Sequence, residues 1–141
     1  MNKIKRVGTC GTYDYILHPG HISMLEFCSS LGEELVVFVV SDATVENNKG
    51  RRPYYNQETR ARNLLLVPSV SEVILLCGDD DVMQIANSAL DLYVLGYDQH
   101  TEFDEAIIAI LDDNVVRRMP SSTSGVYSTT KMLDMSMNKH A

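Results

Sequence analysis

His18 and His21 stand three positions apart with Pro19 and Gly20 between them, and the helical run Ile22-Ser23-Met24-Leu25-Glu26-Phe27-Cys28 follows directly. Two imidazoles at the mouth of a helix lie beside backbone N–H groups that have no partner inside it. Together they can donate hydrogen bonds to a polyphosphate from one side, and the helix dipole acts in the same sense. The spacing is equally compatible with a structural histidine beside a turn, or with two of three metal ligands. Basic residues gather at Lys49, Arg51 and Arg52, at Arg60 and Arg62, and at Arg117 and Arg118. On an acidic chain, small basic clusters point to a local anion site rather than an extended one.

Holding a phosphate between such groups requires a strand, a glycine-bearing turn and a helix start in succession. Residues 4–8 read as a first strand and 22–31 as a first helix, closed by Gly32. Residues 35–40 are a short, continuous, β-branched run, which is the pattern of a strand buried on both faces of a parallel sheet. Ser41-Asp42 ends it on the carboxyl side, where open α/β sheets gather ligands. The polar stretch 43–56, with Asn47-Asn48, Gly50 and Pro53, reads as a mobile loop. A helix from Gln57 to about Leu66 stops before Pro68, a third strand spans 72–76, and an acidic turn leads into a helix over 82–90. Residues 92–95 give a fourth strand with Gly96-Tyr97-Asp98-Gln99 just beyond its end. Residues 102–111 carry an apolar helical stripe, and Val115-Val116 begins a fifth strand that Pro120 ends. A polar loop over 121–125 and a capped helix start at Ser128-Thr129-Thr130 follow. Strands alternating with helices at this spacing predict a doubly wound parallel sheet, Rossmann-like, of about five strands with helices on both faces.

The 141 residues suit one domain, with 45% hydrophobic and 22% charged residues near globular averages. A net charge of −7 argues against a nucleic-acid partner, which would call for Lys and Arg against phosphates. No apolar run approaches the length of a membrane span, and no signal-peptide pattern follows Lys3, Lys5 and Arg6, so a cytoplasmic protein is expected. Cys10, Cys28 and Cys77 are odd in number and lack Cys-x-x-Cys spacing. Neither a disulfide framework nor a zinc site is expected of them.

Gly11-Thr12-Tyr13-Asp14 followed by His18-x-Gly20-His21 resembles the Gly-Thr-Phe-Asp…His-x-Gly-His signature of the small nucleotidyltransferases, the cytidylyltransferase-like family, which includes glycerol-3-phosphate cytidylyltransferase and archaeal FAD synthase. The stretch Asp42-x-Thr44-Val45-x-x-x-Lys49-Gly50-Arg51-x-Pro53 resembles the family's loop, whose Lys reaches the triphosphate, and Glu58-x-Arg60 its helix start, with the Arg facing the phosphates. Leu95-Gly96-Tyr97-Asp98-Gln99 looks like the Gly-Tyr-Asp-Gln stretch of the archaeal FAD synthase branch. Ser128-Thr129-Thr130 resembles the end of the cytidylyltransferase Arg-Thr-x-Gly-Ile-Ser-Thr-Thr motif. Two departures stand out. Three residues, not two, separate Asp14 from His18, which implies a bulge in the turn or a displaced Asp14. The Arg that would precede Thr123 is absent, and Val126-Tyr127 carries one residue too many.

The resemblance implies a nucleotidyltransferase that uses Mg²⁺ with a nucleoside triphosphate, CTP or ATP, and a small phosphorylated acceptor, in a homodimer. It implies catalytic roles for His18, His21, Lys49 and Arg60, and nucleotide contacts from Gly11, Thr12, Tyr13, Gly20, Gly96, Tyr97, Asp98, Ser128, Thr129 and Thr130. Asp14 and Asp42 are the implied acceptor contacts. A phosphate monoester is already ionised, so in-line attack on the α-phosphorus calls for positioning and charge neutralisation rather than a strong base. The Ser-Thr-Thr ending and short length favour CMP transfer to an acceptor such as glycerol 3-phosphate. FMN adenylyl transfer is the alternative, carried by Gly96-Tyr97-Asp98-Gln99 and Lys49-Gly50-Arg51, and a nucleotide-binding protein without turnover is a third reading.

Overall fold

The computed structural model describes residues 3–15 and 17–120. Its strands are β1 (Arg6–Gly11), β2 (Glu34–Val39), β3 (Glu72–Leu75), β4 (Leu92–Leu95) and β5 (Val116–Arg118). Its helices are α1 (Pro19–Ser29), α2 (Asp42–Lys49), α3 (Gln57–Leu65), α4 (Asp81–Ala86) and α5 (Glu102–Ile110). The strands form one sheet in the order β3-β2-β1-β4-β5, and every pairing is parallel. This is the doubly wound sheet that the alternation of elements predicts.

β2 shows why the sequence folds this way. Leu35 to Val39 have no exposed surface, and their side chains alternate between two cores. Leu35, Val37 and Val39 pack with Leu25 and Cys28 of α1 and Leu64 of α3. Val36 and Phe38 pack with Ile85 of α4 and Ile107 of α5. A run that is apolar at every position therefore fits only a strand covered on both sides. Truncating a side chain as enclosed as Phe38 to Ala costs about 3–5 kcal/mol. The buried Thr9 hydroxyl donates to the Val94 carbonyl at 2.9 Å, which ties β1 to β4 without leaving a polar atom unpaired.

The chain runs outward from β1 through β2 to β3, then returns to place β4 on the other side of β1. The strand order reverses there, and a crevice is left beyond the carboxyl ends of β1 and β4. Several elements differ from the sequence expectations. β1 starts and ends later than 4–8, so Gly11 closes the strand. α1 begins at Pro19 rather than Ile22, because His18 caps it and proline is favoured in a first turn. The expected loop 43–56 is half helix: the Ser41 hydroxyl accepts from the Thr44 N–H to start α2, and Gly50 at φ +70° stops it in the left-handed region. Among the described residues, no helix is long and apolar enough to cross a membrane.

Candidate active site

The two histidines are fixed by each other. His18 sits in extended backbone as the N-cap of α1, and its Nδ1 accepts from the Gly20 N–H at 3.0 Å. The His21 Nδ1 accepts from the His18 N–H at 3.3 Å, which completes a reciprocal capping box. The rings stack with centroids 3.9 Å apart at 24°, and the Tyr13 ring meets His21 edge-on at 5.7 Å. An imidazole that accepts at Nδ1 carries its proton on Nε2, so the capping bonds assign both tautomers. Burial holds His18 below the ordinary histidine range; burial first, and then the neighbouring His18, push His21 down to about 4. Both rings are neutral at pH 7, each with its proton on Nε2. The Gly20 amide at the helix mouth is held by His18.

The crevice has two lobes. One, of about 350 Å³, is lined by His18, Gly20 and His21 on one side, by Gly11, Thr12 and Tyr13 beneath, and by Gly96, Tyr97 and Asp98 opposite. A second, of about 810 Å³, lies on the α2 and α5 side of β1; it shares Gly11, Thr12 and Asp98 and adds Lys49. The structure thus brings together predicted residues from four stretches, around Gly11, His18, Lys49 and Gly96, that are up to 87 positions apart, from Gly11 to Asp98. Cys10, Met24, Gln99 and Phe103 also line these lobes and were not singled out as site residues. The apolar ones carry no motif signal, whereas Gln99 was within reach as the last residue of Gly96-Tyr97-Asp98-Gln99. Burial pushes the Cys10 thiol and the Tyr13 phenol up, so neither is an ionised nucleophile.

Three expected contacts are placed elsewhere. Arg60 is fully buried and points inward: its Nη2 donates to Asp42 Oδ1 at 2.7 Å, its Nη1 to the Thr12 carbonyl at 2.8 Å and its Nε to the Tyr55 carbonyl at 3.0 Å. A guanidinium spent on these partners braces the turn after β1 and does not face the crevice. Asp42, the partner of Arg60, is committed to the same brace. Asp14 accepts from the backbone N–H groups of Tyr15, Tyr54 and Tyr55 at 2.9, 2.9 and 3.1 Å, with Arg51 at 3.5 Å. Burial alone would raise this carboxyl, but the three amides and Arg51 outweigh it and hold it below the usual range. The backbone is left-handed on either side of Asp14, at Tyr13 (φ 52°) and Tyr15 (φ 66°), and the Asp14 carboxylate meets segment 50–56. Arg118, at the end of β5, donates from Nη1 to the carbonyls of Gly96 and Gln99, both at 2.8 Å.

The chain is a nucleotidyltransferase: it belongs to the cytidylyltransferase-like family, whose model it matches over residues 9–134. It is similar to the FAD synthase of Methanoculleus marisnigri, 34% identical over 139 residues that cover 94% of this chain and 89% of the relative. The FAD synthase of Thermococcus sibiricus is 36% identical over 135 residues, covering 91% and 89%. The crystal structure of the lipopolysaccharide core biosynthesis protein from Thermoplasma volcanium matches with a TM-score of 0.71 at 32% identity, over 83% of this chain and 97% of that one. Ser128, Thr129, Thr130 and the segment around Thr123 lie outside the described residues.

Among the described residues, no group of three or more His, Cys, Asp or Glu could hold a metal ion. The donor set still suits Mg²⁺ delivered with a triphosphate, because that ion takes most of its oxygens from phosphates and water and one or two from the protein. Asp98, exposed and lining both lobes, offers one carboxylate of this kind.

Proposed function

We propose that this protein is an FMN adenylyltransferase, joining the AMP of ATP to the phosphate of FMN with release of pyrophosphate. The observation that carries the reading is the character of the larger lobe. At about 810 Å³ it is roomy for a small acceptor, and among the described residues its lining sets Asp81, Asp98, Glu102 and Asp104 against a single Lys or Arg, Lys49. Glycerol 3-phosphate can also meet Lys49, but it leaves most of this volume and its apolar lining unfilled. An acceptor with a large uncharged ring and a phosphate on a long arm can bury the ring beside Phe103, Val40 and Val45 and keep its phosphate near Lys49. The names of the similar archaeal proteins favour the same acceptor over CMP transfer, and so weigh against the preference for CTP drawn from the sequence.

In this reading the nucleoside occupies the smaller lobe against Gly96, Tyr97 and Asp98, with its α-phosphate near Thr12 and the histidines. An FMN phosphate oxygen attacks the α-phosphorus in line, one P–O bond forms, the bond to the β-phosphate oxygen breaks, and pyrophosphate leaves. The Nε2–H groups of His18 and His21 donate to the phosphate oxygens as charge builds, and Lys49 neutralises the acceptor side. Arg60 contributes by holding the Thr12 carbonyl. Mg²⁺ bound with the triphosphate, near Asp98, supplies further charge neutralisation.

The test is a four-way assay pairing ATP or CTP with FMN or glycerol 3-phosphate, reading pyrophosphate and FAD. FAD from ATP with FMN alone is the expected result. Pyrophosphate from CTP with glycerol 3-phosphate, and none with ATP and FMN, would overturn the assignment.

A further inference from the structure

The wall between the two lobes is made by the end of β1 with Thr12 and by one turn past β4, and that turn is held from behind by one side chain. Gly96, Asp98 and Gln99 lie just past the end of β4; Asp98 and Gln99 line both lobes. The turn is closed internally by the Gln99 N–H donating to the Gly96 carbonyl at 3.2 Å and by the Gly96 N–H donating to the Gln99 side-chain oxygen. A two-residue interior with exposed Asp98 and no apolar anchor beyond half-buried Tyr97 has little else to fix its position. Arg118 supplies that fixed point. Leu95 and Arg118 are register partners in the parallel β4–β5 ladder, and the Met119 N–H donates to the Leu95 carbonyl at 2.7 Å, so the Arg118 backbone is set by the sheet. From there its guanidinium takes the carbonyls at both ends of the turn, Gly96 and Gln99. Charge-assisted bonds of this kind are about twice as strong as neutral ones.

We propose that Arg118 is a positioning residue for both substrates: it acts through the Gly96–Gln99 turn, holding one partition that shapes the nucleotide lobe on one side and the acceptor lobe on the other. The inference rests on the reading of the two lobes given above. Because a bound ligand on either side presses against the same wall, Arg118 couples the two sites. Its loss weakens both substrates together instead of one.

Gly96 gives an independent handle on the same turn. A Cβ there would meet the Gln99 side-chain oxygen at 3.1 Å and its Cγ at 3.3 Å, so Gly96→Ala displaces the wall from the opposite side. Arg118→Met, which keeps the chain length and removes the donors, and Gly96→Ala are each expected to raise KM for ATP and for FMN by about tenfold. The double variant is expected to be scarcely worse than either single one, since both act on one element. Arg118→Lys, whose ammonium can still donate to carbonyls, should recover part of the loss.

Amide hydrogen exchange reads the clamp without any substrate. In Arg118→Met the amides of residues 96–99 should exchange faster while those of α1 keep the wild-type rate. Unchanged exchange at 96–99, or a rise in KM confined to one substrate, overturns the coupling role. If the wild-type protein makes no FAD, the functional reading falls on that result, and the exchange experiment still decides whether Arg118 holds the turn. Should Arg118→Met fail to fold, Gly96→Ala carries the kinetic test.

Discussion

Replacing Arg60 by Met separates two roles that the residue cannot hold at once. If the guanidinium faced the phosphates, its loss would leave the fold untouched and raise KM for the nucleotide. In the structure it has no exposed surface and three partners, Asp42, the Thr12 carbonyl and the Tyr55 carbonyl. Removing one partner of a buried ion pair costs about 3–5 kcal/mol. The Asp42 side chain is 46% exposed, so water can take over much of its solvation and that part must be discounted. The two carbonyls remain, each costing about 1–3 kcal/mol if left unpaired. The net expectation is a loss of about 2–4 kcal/mol, or about 4–16 °C in Tm at about 2–4 °C per kcal/mol. Urea unfolding followed by circular dichroism measures it, and Asp42→Asn should cost less and be non-additive with Arg60→Met. A loss of stability under about 0.5 kcal/mol, with KM for ATP raised tenfold, would refute the bracing role and restore Arg60 to the phosphates.

The histidines yield two further expectations. His18→Ala should lower kcat by about 10²-fold or more and also cost about 1 kcal/mol as a lost N-cap, whereas His18→Asn should regain the stability but not the rate; equal kcat in the Asn variant and the wild type would remove His18 from catalysis. His21, at about 4 in the fold, takes up a proton more readily once unfolded, near the ordinary 6.5, so stability is complete above about pH 6.5 and falls as pH drops toward 4. Between pH 7 and 5 the loss should be roughly 2 kcal/mol, and His21→Gln, titrating nothing there, should flatten the unfolding curve; an identical pH dependence in the variant would place the proton elsewhere.

What the sequence discloses depends on whether the signal is local. Leu35 to Val39 announce a doubly covered strand because every position is apolar, and the parallel sheet follows from alternation with helices. α2 is hidden because a single side chain, Val45, is buried, which leaves no period to read; Ser41 and Gly50 at its ends were the available signs. The candidate site is legible as a set of residue types: His18, His21, Gly11, Thr12, Tyr97, Asp98 and Lys49 do meet around the crevice. The directions of side chains are not legible. Arg60 and Asp14 occupy the right places in the motifs, but which way they turn depends on distant backbone groups, the Tyr54 and Tyr55 amides 40 and 41 positions from Asp14 and the Thr12 carbonyl 48 positions from Arg60. Arg118 depends on the pairing of β4 with β5, which no short pattern encodes.

The tie made by Asp14 also limits how Lys49 can travel. Segment 50–56 is pinned at the Tyr54 and Tyr55 amides by that carboxylate, and at the Tyr55 carbonyl by Arg60. At the other end α2 starts where the Ser41 hydroxyl caps it, directly after β2. Lys49, at the end of α2, is therefore joined to the pinned Tyr54 and Tyr55 by the short stretch from Gly50 to Pro53, which itself meets Asp14 through Arg51. The reach of its ammonium is set by the length of that stretch, a property that insertions or deletions tune while every residue lining the crevice stays the same.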